Sequence, residues 1–198
     1  MSRRTPPSSA PQQVRIMGGQ WKRTPLNVPL IDGLRPTSGR VRETLFNWLG
    51  QDLSGWRVLD AFAGSGALGL EAASRGAGSV VLLEQHPVLA KALRDVVQRL
   101  KAPQVAVHQT DALTWMAQAG ARAAFDLVCL DPPFAQQWFD RALALAIDCV
   151  PPGGWIYLES PTPMQAPEPL TLRRQGQAGQ VAFHLFQRKD ATDSGTPA

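Results

Sequence analysis

The stretch Val58-Leu59-Asp60-Ala61-Phe62-Ala63-Gly64-Ser65-Gly66-Ala67-Leu68-Gly69 limits what this chain can fold into more than any other. An apolar run breaks into glycines and resumes at helical spacing, which reads as a buried strand, a tight turn and the first turn of a helix. Gly64, Gly66 and Gly69 stand in the G-x-G-x-x-G arrangement, which lets backbone approach a ligand closely and points helix N-terminal amides at it. Further on, Glu84 closes a second apolar run, Ser79-Val80-Val81-Leu82-Leu83, where a carboxylate can grip ribose hydroxyls. Together they predict an adenosine-bearing cofactor without saying which one.

The same unit repeats downstream. Strand-like runs over 57–62, 79–84, 104–108, 125–130 and 154–159 alternate with helical patterns over 67–75, 87–100, 112–119 and 137–149. Such alternation with short connections specifies a mostly parallel sheet covered on both faces by helices. After the proline-rich stretch 161–169, Leu170–Arg174 and Val181–Arg188 read as an antiparallel hairpin around Gly176 and Gly179.

The N-terminal part is organised differently. Residues 1–13, rich in Ser, Pro, Gln and Arg, cannot bury enough surface to order themselves and are expected to form a disordered basic arm. Apolar pairs separated by Gly18-Gly19 and Thr24-Pro25 predict a small two-stranded ribbon over 14–28, displaying Arg15, Lys22 and Arg23. Leu34 to Ser38 is expected to be extended, with Thr37 or Ser38 capping a helix that buries Val41, Leu45, Phe46, Trp48 and Leu49. Residues 14–52 thus form an extension, 53–189 the main domain, and 190–198 a polar tail.

Charge separates these parts. Residues 1–42 carry eight basic side chains against the single acid Asp32, while the rest of a chain of net charge +4 holds more acids than bases. A basic segment on a mildly acidic core is the footprint of a polyanion-binding face, because Lys and Arg gain by releasing the counterions held on a phosphate backbone. Arg35, Arg40 and Arg42, embedded among apolar and turn residues, join Arg15, Lys22 and Arg23 as candidate phosphate contacts, the alternative being a structural role in which Arg40 or Arg42 pairs with Glu43 or a core carboxylate. No run approaches the roughly 20 apolar residues of a membrane span, and no apolar leader opens the chain, so no membrane partner is expected. Cys129 and Cys149 read as buried thiols in a reducing cytoplasm, and the scattered His86, His108 and His184 offer no metal site.

In an open sheet of this kind, ligands bind beyond the carboxyl ends of the strands. Asp60, Glu84, Asp111 and Asp131 end four consecutive strands and converge on that rim, although Asp111 would equally cap the helix after it. Asp131-Pro132-Pro133-Phe134 is the most specific feature. Two prolines remove two backbone donors and stiffen the main chain, leaving carbonyl and carboxylate acceptors in fixed geometry beside an aromatic ring. That suits a planar base with an exocyclic amino group: Asp131 and the Pro132 carbonyl accept its hydrogens, and Phe134 stacks on the ring.

These residues resemble the class I S-adenosylmethionine-dependent methyltransferases, and among them the amino-methylating group with an Asp/Asn-Pro-Pro-Phe/Tyr signature. Gly33-Leu34-Arg35-Pro36-Thr37, Arg40-Val41-Arg42-Glu43-Thr44-Leu45-Phe46-Asn47-Trp48-Leu49 and Phe62-Ala63-Gly64-Ser65-Gly66-Ala67-Leu68-Gly69-Leu70-Glu71-Ala72 resemble, more narrowly, the bacterial RsmD family of 16S rRNA (guanine(966)-N2)-methyltransferases. The likeness runs from about Val14 to Arg188. It implies a Rossmann-like α/β fold whose seven-stranded, mostly parallel sheet has an antiparallel last strand. It also implies S-adenosylmethionine as methyl donor and 16S rRNA as partner, and favours an assembled small subunit as substrate; a monomer is expected, although no residue pattern decides the oligomeric state. Carried over, the pattern puts Gly64 and Gly66 at the floor of the methionine pocket, with Asp60 and Ala63 beside them. Glu84 becomes the ribose ligand, Asp111 and Ala112 lie at the adenine, and Asp131, Pro132 and Phe134 hold the target base. The chain departs from the pattern at His86, where an acid is common, and at the neutral Ala135-Gln136-Gln137.

Three other functions remain open. An adenine-N6 methyltransferase would use the same Pro-Pro-Phe motif. A nicotinamide-dependent oxidoreductase would use the same glycines and Glu84 but leave Asp131 to Phe134 unexplained, and an RNA-binding module without catalysis would leave the acidic strand ends unexplained.

Overall fold

In chain order, strands β1 (Gln13–Arg15) and β2 (Pro25–Asn27) precede helix α1 (Gly39–Trp48). Then come β3 (Arg57–Asp60), α2 (Ala67–Ser74), β4 (Ser79–Glu84), α3 (Pro87–Leu100), β5 (Val105–Gln109) and α4 (Ala112–Met116). The chain closes with β6 (Leu127–Leu130), α5 (Phe139–Cys149), β7 (Trp155–Ser160), β8 (Leu170–Ala178) and β9 (Val181–Arg188). The computed structural model describes residues 13–27, 29, 37–133 and 138–190. Most of the arm, the segment carrying Arg35 and Pro36, Phe134 to Gln137 and the tail from Ala191 lie outside the described residues.

β1 and β2 pair antiparallel as the expected ribbon, and the other strands form one seven-stranded sheet in the order β5-β4-β3-β6-β7-β9-β8. Pairings from β5 across to β7 are parallel, and β9 runs antiparallel to both its neighbours. The chain winds outward from β3 to β5 and then returns to β3's other side at β6, so the strand order reverses beside β3, where such sheets hold their ligands.

Strand alternation divides the core. Val58, Val80, Leu82, Leu127, Cys129, Tyr157 and Phe183 point to the face that packs on α1, α2, α3 and the ribbon. Leu59, Leu83, Val128, Leu130, Ile156 and Leu158 point to the opposite face, against α4 and α5. Each fully buried Leu or Phe of these faces contributes about 1.5–3 kcal/mol of hydrophobic stabilisation. The same period of two aims Asp60, Asp131 and Glu159 at the α1/α2 side, one at the end of each of three adjacent strands.

Element ends differ from the sequence reading in informative ways. β3 stops at Asp60 because the chain turns there into the glycine segment, and α4 is cut to five residues by a 3-10 turn at Ala119–Ala121. β8 runs to Ala178, four residues past the expected end, because Gly176 is a strand residue and not a turn. It lies opposite Phe183, and a Cβ there would sit 2.3 Å from that ring, so glycine makes room for an aromatic on the neighbouring strand.

Candidate functional site

The glycine turn is built to bring α2 close to the sheet. Gly66, at the N-cap of α2, has φ +74°, and a Cβ there would lie 2.6 Å from Leu93 Cδ2 and 2.8 Å from Leu70 Cδ1. Gly69 packs one turn in, where a Cβ would meet Leu82 Cδ2 at 2.2 Å. Two carboxylates fix this backbone. Asp60, 2% exposed, accepts the Gly69 N–H at 2.8 Å, and Glu84 accepts the Gly64 N–H at 2.8 Å and the His86 N–H at 2.7 Å. Each Glu84 oxygen thus takes one backbone donor, and a carboxylate with about four acceptor positions keeps two for hydroxyls of a bound nucleoside. The donor set fits the expected cofactor.

Beside the turn, the end of β6 meets the end of β7. Register pairs Leu130 with Leu158, which sets Asp131 beside Glu159. Thr37, just before α1, donates its hydroxyl to Asp131 Oδ2 at 3.3 Å and also reaches Glu159, and the Tyr157 hydroxyl donates to Glu159 Oε1 at 2.9 Å. Glu159 and Thr37 are buried, while Asp131 is partly exposed. Burial pushes Asp131 well above the usual carboxylate range, and the Glu159 and Asp60 charges add to it. Burial likewise raises Glu159, against the hydrogen bonds from Tyr157 and Thr37, and Asp60 is pushed up to about 7. Among the described residues the charges acting on Asp131 are other carboxylates, so each carboxyl of the cluster makes its neighbours harder to ionise.

The N-terminal ribbon is fastened to α2 by the next turn of the same helix. Glu71 accepts the Met17 and Gly18 backbone amides at 2.8 and 2.7 Å, and Ser74 Oγ accepts from Trp21 N at 2.9 Å and donates to Gly18 O at 2.6 Å. Arg42 Nη1 donates to Arg15 O at 3.0 Å and pairs with Glu71, which Arg75 also reaches at 2.8 Å.

The family model described as "Conserved hypothetical protein 95" matches residues 14–187. Ribosomal RNA small subunit methyltransferase D of Escherichia coli (strain K12) is 40% identical over 201 aligned residues, covering 96% of this chain and 97% of that protein. The chain belongs to the RsmD family. The protein of the same name from Haemophilus influenzae is 38% identical, over 90% of this chain and 96% of its own length. The solved structure of yhhF from Escherichia coli superimposes with a TM-score of 0.81 at 41% identity, covering 89% of this chain and 98% of that one.

Membership in the RsmD family frames where the expected site residues fall. Gly64, Gly66, Ala63 and Glu84 meet at the turn, and Asp131 and the buried Pro132 stand at the neighbouring strand end. Asp60 lies beneath the turn, so it supports the loop from below instead of lining the rim. Asp111 caps α4, accepting the Thr114 N–H at 2.7 Å, with Ala112 buried behind it. Ser38, not Thr37, caps α1, which leaves Thr37 to bind Asp131. Arg42 requires a correction: it is 3% exposed and bound to Glu71, so it is part of the core and not a surface contact for phosphate. Arg15, Lys22, Arg23 and Arg40 are exposed, and Arg35 and Phe134 lie outside the described residues.

The sequence reading passed over Glu159, Thr37, Tyr157 and the aromatic pair Phe62 and Trp138, whose ring centroids lie 6.5 Å apart and which link the turn after β3 to the start of α5. Glu159 carried the same signal as the other rim acids, an acid closing an apolar run. Thr37 stood out only as a possible helix cap and as part of the Gly33–Thr37 motif, and nothing local pointed to Asp131, which lies 94 positions away. Among the described residues no group of His, Cys, Asp and Glu could hold a metal ion, and no helix is long and apolar enough to cross a membrane.

Proposed function

We propose that this protein transfers a methyl group from S-adenosylmethionine to the exocyclic N2 of a guanine in 16S rRNA, guanine 966 by its family resemblance, in the assembled small ribosomal subunit. One observation carries the proposal: an acid and a proline carbonyl, Asp131 and Pro132, stand at the strand end next to a glycine turn held by Glu84. The names of the relatives support it.

When bound, S-adenosylmethionine supplies a sulfonium-activated methyl group. The chain's own residues supply place and orientation. Glu84 keeps acceptor positions for ribose hydroxyls while holding Gly64. Asp131 and the Pro132 carbonyl accept the two hydrogens of the guanine amino group, whose lone pair is otherwise delocalised into the ring, and so favour a more tetrahedral nitrogen aimed at the methyl donor. No covalent intermediate is needed, because the methyl group is already activated: the nitrogen takes it up and one of the two amino protons is released to solvent, while aligning the two bound reactants is worth up to about 7–11 kcal/mol in well-oriented systems. The target base must leave its stack, at a cost of a few kcal/mol that is least for loop nucleotides. Exposed Arg15, Lys22, Arg23 and Arg40, with Arg35 by its sequence position, contact phosphates around it.

The test is mass spectrometry of nucleosides from small subunits of a strain lacking the protein, incubated with the purified chain and labelled S-adenosylmethionine. New N2-methylguanosine is the expected product, abolished by Asp131→Ala. N6-methyladenosine would install the adenine reading, and no methylated nucleoside would overturn both.

A further inference from the structure

We infer that Arg173 and Arg174 form a second phosphate-binding surface for the substrate RNA, at the β8 edge of the sheet and on the side of Asp131 away from the N-terminal ribbon. The inference rests on the function proposed above and adds to it a grip on the far side of the site.

A β-bulge turns both side chains to one face. Leu172 pairs with Phe186 but Arg174 pairs with Leu185, so the register slips by one residue between them. Phe186 packs in the core against α4 and α5, whereas Leu185 packs on the opposite face, with α1, α2 and the ribbon. In a regular strand Leu172 and Arg174 would share a face; the extra residue turns Arg174 to the α1 side. Arg173 points the same way, because its Nε donates to Gln187 Oε1 at 2.9 Å and Gln187 lies two residues along β9 from Leu185. Two successive arginines thus leave the same face of one strand, where regular pleating would divide them between two.

Their guanidinium groups are held but not neutralised. Gln187 is itself fixed, its Nε2 donating to Gly153 O at 3.0 Å, and Arg174 Nη1 donates to Arg173 O at 3.2 Å. Both side chains are exposed, and among the described residues no carboxylate pairs with either; Glu168, just ahead of β8, is taken by Lys189. Arg173 keeps both Nη groups and Arg174 keeps Nη2 for an oxyanion, and a guanidinium already in place binds phosphate as a fork with less loss of rotamer freedom. Cys129, Tyr157, Leu185 and Arg174 form one row across β6, β7, β9 and β8, and Asp131 is two residues beyond Cys129. Three strand spacings put Arg174 about 14–15 Å across the sheet from β6. On the other side of Asp131, α2 packs on β3 and β4 and carries the ribbon with Arg15, Lys22 and Arg23. Between the two lies α1 with the exposed Arg40, joined to α2 by Arg42 and Glu71 and to β9 by Trp48 and Phe183. An RNA whose target base enters at Asp131 therefore meets cations on both sides. Exposed arginines on an edge strand can also serve only to block pairing with a second copy, a role that predicts self-association without them.

Filter binding of the full chain to small subunits from a strain lacking the protein, between about 50 and 200 mM salt, tests the inference. The variants are Arg173→Gln with Arg174→Gln, and Arg122→Gln as a control, an exposed arginine after the 3-10 turn on the opposite face of the sheet. The double variant should lower the log–log salt slope by about 1.4–1.8, two phosphate contacts at about 0.7–0.9 each. It should raise KM for small subunits, while kcat and the calorimetric affinity for S-adenosylhomocysteine stay at wild-type values. Arg122→Gln should leave the slope in place. A wild-type slope in the double variant overturns the inference, and so does a drop no larger than that of the control. Self-association of the double variant in sedimentation with the slope retained assigns the arginines to edge protection and also overturns it. Should the double variant not fold, Arg174→Gln alone decides, with an expected drop of about 0.7–0.9. If the wild-type chain neither binds nor methylates small subunits, the proposed function falls and takes the inference with it. If the wild type does both and the slope of the double variant is unchanged, the inference falls alone.

Discussion

Arg42 Nη1 lies 3.4 Å from Glu71 Oε2, with the two side chains 4% and 0% exposed, so a charge that reads in sequence as part of a basic surface is the core anchor of the N-terminal ribbon. Glu71 also takes the Met17 and Gly18 amides and the Arg75 guanidinium. Glu71→Ala removes the acceptor for all four and leaves two buried guanidinium groups uncompensated. It should cost about 3–5 kcal/mol in urea unfolding, the usual consequence of breaking a buried pair from one side. A loss below about 1 kcal/mol would mean that the ribbon holds by its apolar contacts alone.

The exposed arginines and lysine should behave differently. Replacing Arg15, Lys22 and Arg23 with alanine should leave thermal stability nearly unchanged and flatten the dependence of rRNA binding on salt. Each lost phosphate contact lowers the log–log slope by about 0.7–0.9. An unchanged slope would remove the ribbon from the nucleic-acid surface.

Asp60 makes stability depend on pH. Burial first, then the Glu84 and Glu159 charges, raise its carboxyl to about 7 from 3.8, with the Gly69 amide pulling the other way. Between those values the folded protein keeps a proton that the unfolded chain has released, so stability falls as pH rises through that window. Asp60→Asn keeps an acceptor for Gly69 and cannot ionise. Relative to wild type it should gain progressively from pH about 4 to 7, by at most about 4 kcal/mol at about 1.4 kcal/mol per unit. A stability difference that stays constant across that range would show that Asp60 does not titrate there.

Gly69 tests how closely the turn must pack. The alanine methyl would enter the space of Leu82 Cδ2 and lie 3.1 Å from Asp60 Oδ2. Overpacking of this kind should cost about 1–3 kcal/mol, and displacing the turn should weaken S-adenosylhomocysteine binding in calorimetry. Wild-type binding in a destabilised variant would separate the two effects.

Much of this was legible in the residues because local pattern and tertiary context agree. The glycine turn, the alternating strands and the hairpin follow from apolar periodicity, and Glu84 and Asp131 stand out because acids interrupt apolar runs. What escaped was long-range. Whether Arg42 faces solvent depends on Glu71, which sits in a different helix, and the part Thr37 plays depends on a strand end far along the chain. Gly176 was misread because glycine means a turn locally, whereas here it answers the bulk of Phe183 on the next strand.

α2 is eight residues long and does two jobs, with the glycine turn at its first residue and the ribbon clamped at Glu71 and Ser74 further along. At about 1.5 Å per residue, those two attachment points are separated by less than two helical turns. The helix therefore works as a ruler. On the proposed function, the ribbon and the pocket for the methyl donor are held at one fixed spacing by a rigid rod.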